Sequence, residues 1–192
     1  MPTHTPWGLS QSSRTLAQGI REYTTASHGG IHLSPRCNAQ IAECWRIATG
    51  WYEEDCDWAI VAYHFPEAFS GVNFELALQT LKSYKPDEYT LVTGKNVTLE
   101  ESHKLRERAF REATKDKLVT VAAFGDWHPK IPKGYVGAIA YKGGRPENGM
   151  YASDLRYFLV PRAEYHAHQQ SVVYMGFTID ETRHQEVEKF DG

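Results

Sequence analysis

Four carboxylates crowd into five residues at one point of the chain: Glu53, Glu54, Asp55 and Asp57, inside the stretch Gly50–Phe65. Hard cations take oxygen clusters of this kind, and carboxylates also serve as general acids and bases. On an extended chain Glu53, Asp55 and Asp57 would share a face, because side chains alternate. His28 would add an imidazole if the fold brought it close, and histidine suits a general base near neutral pH. The spacing matches no calcium loop, and no HExxH motif is present. No metal and no cofactor are therefore expected, and an exposed acidic turn is the plainer reading. The enzymatic alternative is a small hydrolase or modifying enzyme, with His28, Asp55 and Asp57 as its candidate catalytic residues.

Ser27 and His28 are neighbours, so on an extended chain they point to opposite faces and do not form a dyad; a turn histidine between small residues is the plainer account. Gly125-Asp126-Trp127-His128-Pro129 reads as a stiff turn with aromatic and polar tips. Trp127 and His128 there are either an interface anchor or a cover over one end of the core. His166 and His168 lie near Glu164 and suggest a metal pair or, more simply, an exposed segment. Gly143-Gly144 lacks the lysine and hydroxyl residue of a phosphate loop. The three cysteines, Cys37, Cys44 and Cys56, are odd in number and contain no CxxC. On one helix Cys37 and Cys44 would stand about 10 Å apart, too far for a disulfide. Reduced, packed thiols follow.

Elements must position these groups. Arg14–Ala17, Ile20–Thr25 and Ile31–Leu33 read as a β-meander, turning at Gln18-Gly19 and at Ser27-His28-Gly29-Gly30. Ser34-Pro35 reads as a cap and first helical position, opening a helix over 35–48 that Gly50 stops. The run from Asp57 to Phe65 is the most continuous apolar stretch, and its Trp58, Ile60, Val61, Tyr63 and Phe65 predict an interior strand. A helix is expected over 73–84, ended by Lys85-Pro86. Another is expected over 98–116, opened by Thr98 and Glu101 at capping-box spacing. Its charged face, with Glu100–Lys104 and Glu107–Arg111 pairs, is a solvated face. Leu118–Phe124, Tyr135–Tyr141, Leu155–Val160 and Ser171–Ile179 predict strands, with glycine and proline between them. Short connections favour antiparallel pairing.

The expected fold is therefore one α+β domain over residues 1–192, a mainly antiparallel sheet packed with two or three helices. Residues 1–12 and 181–192 are candidate flexible ends. At 192 residues the chain can bury a sizeable core, and 41% hydrophobic with 12% aromatic content is globular. A net charge of -3 gives no basic footprint, so direct nucleic-acid binding is not expected. No window approaches a membrane span and the first residues lack a signal-peptide pattern, so a cytoplasmic protein with no membrane partner is expected.

Several phrases together are familiar: Thr5-Pro6-Trp7-Gly8, Ser27-His28-Gly29-Gly30-Ile31, Gly50 to Trp58, and Gly125-Asp126-Trp127. From about residue 5 to 180 the chain resembles a family of uncharacterised proteins carried by phages, plasmids and integrative elements of proteobacteria. That family has no settled activity, so no residue roles carry over. The resemblance implies context: accessory-genome proteins that counter host defence, or serve plasmid maintenance. The leading expectation is an anti-CRISPR or anti-restriction type inhibitor in the host cytoplasm. It would bind a host protein or ribonucleoprotein defence complex through Glu53, Glu54, Asp55, Asp57, Trp127 and His128. A non-catalytic plasmid maintenance factor is the remaining alternative.

Overall fold

In the computed structural model, residues 2–69, 71, 74–146, 149–150, 154–171 and 175–190 are described. The chain divides into two compact units, Met1–Arg106 and Glu107–Gly192. The fold is α+β, with every strand pairing antiparallel and helices packed on the sheets.

The first unit begins with a small hairpin of β1 (His4–Thr5) and β2 (Gly8–Leu9). A meander follows: β3 (Ser12–Ala17), β4 (Ile20–Thr24), β5 (Gly29–Leu33) and β6 (Trp51–Glu53), in that spatial order. The first three strands fall where the sequence places them. Gly19, at φ 81°, makes the first turn, a conformation that glycine alone adopts without cost.

Between β5 and β6 the long helix expected over 35–48 does not form. There is one turn, α1 (Pro35–Asn38), capped by Ser34 Oγ accepting from the Cys37 N–H, and a short 3-10 turn at Glu43–Trp45. The reason is a buried polar triangle. Asn38 Nδ2 donates to the Ile47 carbonyl, the Tyr52 hydroxyl donates to Asn38 Oδ1 at 2.6 Å, and the Ile47 N–H donates to the Tyr52 oxygen. Arg46 adds donors to the Ile41 and Ala39 carbonyls. These side chains satisfy a looped backbone that a continuous helix would have satisfied itself.

The apolar run after β6 is a helix, α2 (Trp58–His64), and not the expected interior strand. Ala59, Ile60, Val61 and Ala62 are all buried. A helix buried on most sides shows the same unbroken apolar run as a buried strand. Two alanines favour the helix, and the acidic residues ahead of it complement the positive end of its dipole. Phe65, at φ -133° and ψ 58° before Pro66, leaves the helical conformation and ends it. A 3-10 turn (Pro66–Ala68) leads to α3 (Phe74–Tyr84). Asn73, where that helix was expected to begin, lies outside the described residues. Pro86 ends α3 as foreseen and also opens α4 (Pro86–Thr93), using proline's fitness for a first helical turn. Ile20, Ile31, Leu33, Tyr52, Ile60, Val61, Leu81 and Tyr89 belong to the single core of this unit.

The unit boundary falls within α5 (His103–Thr114). Ser102 Oγ accepts from the Leu105 N–H and so caps it. Thr98 and Glu101 do interact, with the Thr98 N–H donating to Glu101 Oε2, but in the turn ahead of the helix. The second unit holds β7 (Leu118–Phe124), β8 (Tyr135–Lys142), β9 (Arg156–Pro161), α6 (Arg162–Ser171) and β10 (Gln185–Val187). Its sheet order is β10-β9-β8-β7. One face carries Val136, Ala138, Ala140, Phe158 and Val160; the other carries Ile139 and Leu159 with Ile131 and Phe190. The strand expected over Ser171–Ile179 is not seen in its described part: Ser171 ends α6, and Thr178 makes one isolated bridge to Val119. Residues 172–174 of it lie outside the described residues. No described helix is long and apolar enough to cross a membrane.

Candidate functional site

Strand pairing brings the two chemical stretches of the first unit together. Gly30 opposes Glu53, Ile31 opposes Tyr52 and His32 opposes Trp51. The turn before β5, which carries His28, therefore lies beside the turn after β6, which carries Glu54 and Asp55. The Glu54 N–H donates to the Gly29 carbonyl at 3.2 Å and ties the two turns. Thr25 fixes the first turn: its hydroxyl donates to the His28 carbonyl at 2.6 Å and accepts from the His28 N–H at 3.1 Å. A Cβ at Gly29 would lie 2.9 Å from the Tyr23 carbonyl oxygen, which is backbone and cannot swing away, and 2.4 Å from Glu54 Oε2, which can.

His28 Nδ1 lies 3.8 Å from Glu54 Oε1. One ligating atom each of His28, Glu53 and Asp55 lie within 4.8 Å of one another. One imidazole and two carboxylates have the donor chemistry for a divalent cation. Glu53 Oε2 accepts from the Cys56 N–H, while Glu53 Oε1 is buried and lacks a hydrogen bond. Asp57 stands apart. Its Oδ1 meets Lys85 Nζ at 2.9 Å, an ion pair that joins the start of α2 to the start of α4. Residues 54–57 form a turn, so the alternation that would have set Asp57 beside Asp55 does not run through it. Cys56, amid these carboxylates, has its thiol pushed up by burial first and then by the Glu53 and Asp57 charges, with Lys85 opposing. It is correspondingly poor as a nucleophile.

A cleft of about 480 Å³ opens beside Glu54. Its polar side carries Arg14, Glu22, Thr24 and Glu54; its apolar side carries Leu16, Ile31, Trp58 and Phe69, with Leu76 and Ala68. Arg14 is already paired, its Nη2 2.9 Å from Glu22 Oε2. The Trp58 and Phe69 rings are 6.4 Å apart and tilted by 47°. Sequence reasoning missed this cleft because its walls come from β3, β4, β5 and two helical segments, and no local spacing links them. Trp58 and Phe69 flanking the acidic run offered only a weak signal.

In the second unit, Trp127 is 74% exposed. Its turn is braced: Asp126 Oδ2 accepts from the Gly134 N–H at 3.1 Å and lies 3.3 Å from Arg162 Nη1. Accepting the Gly134 N–H and facing Arg162 hold the Asp126 carboxyl below its ordinary range. His128 rests against Phe124 and Phe190, with ring centroids 5.6 and 6.1 Å away. Trp127 thus projects while His128 closes the core beneath it. His166 and His168 lie on α6, where a two-residue step turns to another side of the helix; His168 Nε2 lies 3.1 Å from the Gly176 carbonyl oxygen. Glu164 instead meets Arg183 and the buried His184, partners distant in sequence that no spacing rule reaches.

Residues 1–115 match a domain of unknown function, DUF7007, and the chain belongs to that family. No curated protein and no solved structure matches the chain.

Proposed function

We propose that this DUF7007 protein is a non-catalytic inhibitor, carried by a mobile element, that occupies a basic protein surface on a host nucleic-acid-targeting defence complex of anti-CRISPR or anti-restriction type. The observation that carries this reading is the acidic turn. Glu54 and Asp55 are exposed at the end of a four-stranded sheet, held there by the Gly29–Glu54 backbone bond. Channels built for phosphates are rich in lysine and arginine, and a preset acidic surface competes for them. Trp127, exposed on a braced turn, supplies the kind of rigid aromatic anchor on which interfaces depend. Asp57 and His128 drop out of the contact set in this reading, since Lys85 and the core already engage them.

The test is a titration of the protein against a complex captured from a host lysate, with inhibition counted per molecule. Stoichiometric inhibition is expected. Trp127→Ala should weaken binding by about 2 kcal/mol or more without loss of fold. Reversing Glu54 and Asp55 to Lys should slow association and flatten its salt dependence. Inhibition that turns over many complexes per molecule, abolished by His28→Ala with binding intact, would replace this reading with an enzymatic one.

One observation favours that second reading: His28, Glu53 and Asp55 share a site. A metal-assisted hydrolase would use them as ligands, and its expected signature is about one divalent ion per chain, lost in Asp55→Ala.

A further inference from the structure

Glu54 faces two ways. On one side it meets His28; on the other it lines the cleft with Trp58 and Phe69. Among the described residues, the charged groups lining the cleft are Arg14, Glu22 and Glu54, and the first two neutralise each other. What remains is one carboxylate at the rim, with Glu53 and Asp55 adding negative charge close by. The cleft is also lined by Leu16, the buried Ile31 and the half-exposed Leu76, and by two tilted aromatic rings. A site with an apolar floor, aromatic walls and a single uncompensated carboxylate selects a cation on an aliphatic stem. Aromatic faces attract cations through their quadrupole, and a long stem buries its methylenes while the charge stays at the rim.

We propose that this cleft receives a lysine side chain of the partner protein, with its ammonium between Glu54 and the Trp58 and Phe69 rings. Lysine is preferred to arginine by the carboxylate geometry. A guanidinium seeks a carboxylate free for bidentate pairing. Arg14 Nε and Nη2 both fall on Oε2 of Glu22, and His28 Nδ1 stands 3.8 Å from Glu54 Oε1, so neither carboxylate presents two open oxygens. A compact ammonium needs only the one remaining oxygen. The inference rests on the inhibitor reading for the source of the lysine, but its chemistry is measurable with no partner present.

The experiment titrates the isotopically labelled full chain with an end-blocked Gly-Lys-Gly peptide, following the Trp58 indole N–H by NMR. Matching peptides carry norleucine or arginine in place of lysine. A saturable shift is expected at millimolar lysine peptide, as befits one cation contact. Binding should be about fivefold weaker in Glu54→Gln. It should be unchanged in Asp116→Asn, which removes the same charge outside the cleft lining. The norleucine peptide should give no saturable shift. Equal shifts with norleucine, tighter binding of the arginine peptide, or no saturable shift with lysine would each overturn the proposal. If the lysine peptide binds as described and no host complex is inhibited, the inhibitor reading fails while the cleft chemistry stands.

Discussion

His64 shows how much one side chain decides in the first unit. The Ala42 N–H donates to its Nε2 at 3.0 Å, so Nδ1 must carry the proton and donate to the Ile60 carbonyl at 2.9 Å. This neutral tautomer links the end of α2 to the loop that replaced the expected helix over 35–48. Protonating Nε2 would set a donor against the Ala42 N–H. Burial also disfavours the charged ring, and it lowers the pKa despite the Ile60 hydrogen bond, which acts in the opposite sense. The folded pKa lies below the unfolded value near 6.5, so the unfolded chain takes up the proton first. Stability from His64 is then complete above about pH 6.5 and is lost as the pH falls below it. His32, against the Trp51 ring and likewise lowered by burial, acts in the same direction. Melting temperature should therefore fall between pH 7 and pH 5. In His64→Gln, whose amide oxygen can still accept from Ala42, the fall should be shallower, with His32 supplying what remains. A wild-type melting temperature that is flat across this window would remove His64 from the account.

At the scale of elements, the β-meander was legible because its signals are local: alternation, Gly19 at positive φ, and apolar residues at Ile20, Ile31 and Leu33 that turn out to share a core. The acidic turn was legible too, as a cluster. Its place beside His28 was not, because it depends on the register Gly30–Glu53, fixed across more than twenty residues. In α2 the six apolar residues from Trp58 to Tyr63 fit a buried helix and a buried strand equally, and the choice is made by packing. Gly30 shows what the sheet demands beyond pattern. A Cβ there would lie 2.2 Å from Trp7 Cη2 and 2.5 Å from the Tyr52 carbonyl oxygen. The second neighbour is backbone and cannot swing away. The glycine thus lets Trp7 lie against β5, where it also meets Trp51 edge-on at 5.8 Å. Gly30→Ala should destabilise the protein by about 1–3 kcal/mol, the range for inserting bulk into a packed site. Denaturant unfolding would read this directly. The variant should also lose near-ultraviolet circular dichroism from the Trp7–Trp51 pair, and a fully wild-type melt would contradict the close approach.

For the whole molecule, the family match and the unit boundary bear on cooperativity. The match over residues 1–115 ends one residue after α5 does, whereas the first unit ends at Arg106, inside that helix. The core of the first unit and the two clusters of the second share no residues. Separate cores alone would permit separate melting. Yet the boundary is not a linker. It crosses a helix whose cap, Ser102, belongs to one unit and whose last turn, where the Thr114 hydroxyl donates to the Phe110 carbonyl, belongs to the other. The helix α5 runs without a break through that position. Unfolding either unit frays this helix and leaves the remainder too short to stand alone in water. The expectation is one cooperative transition, with calorimetric and van't Hoff enthalpies in agreement. Proteolysis under native conditions should leave α5 uncut. Two resolved transitions, or stable fragments parted between residues 103 and 114, would show that the helix does not couple the units and that the DUF7007 portion melts on its own.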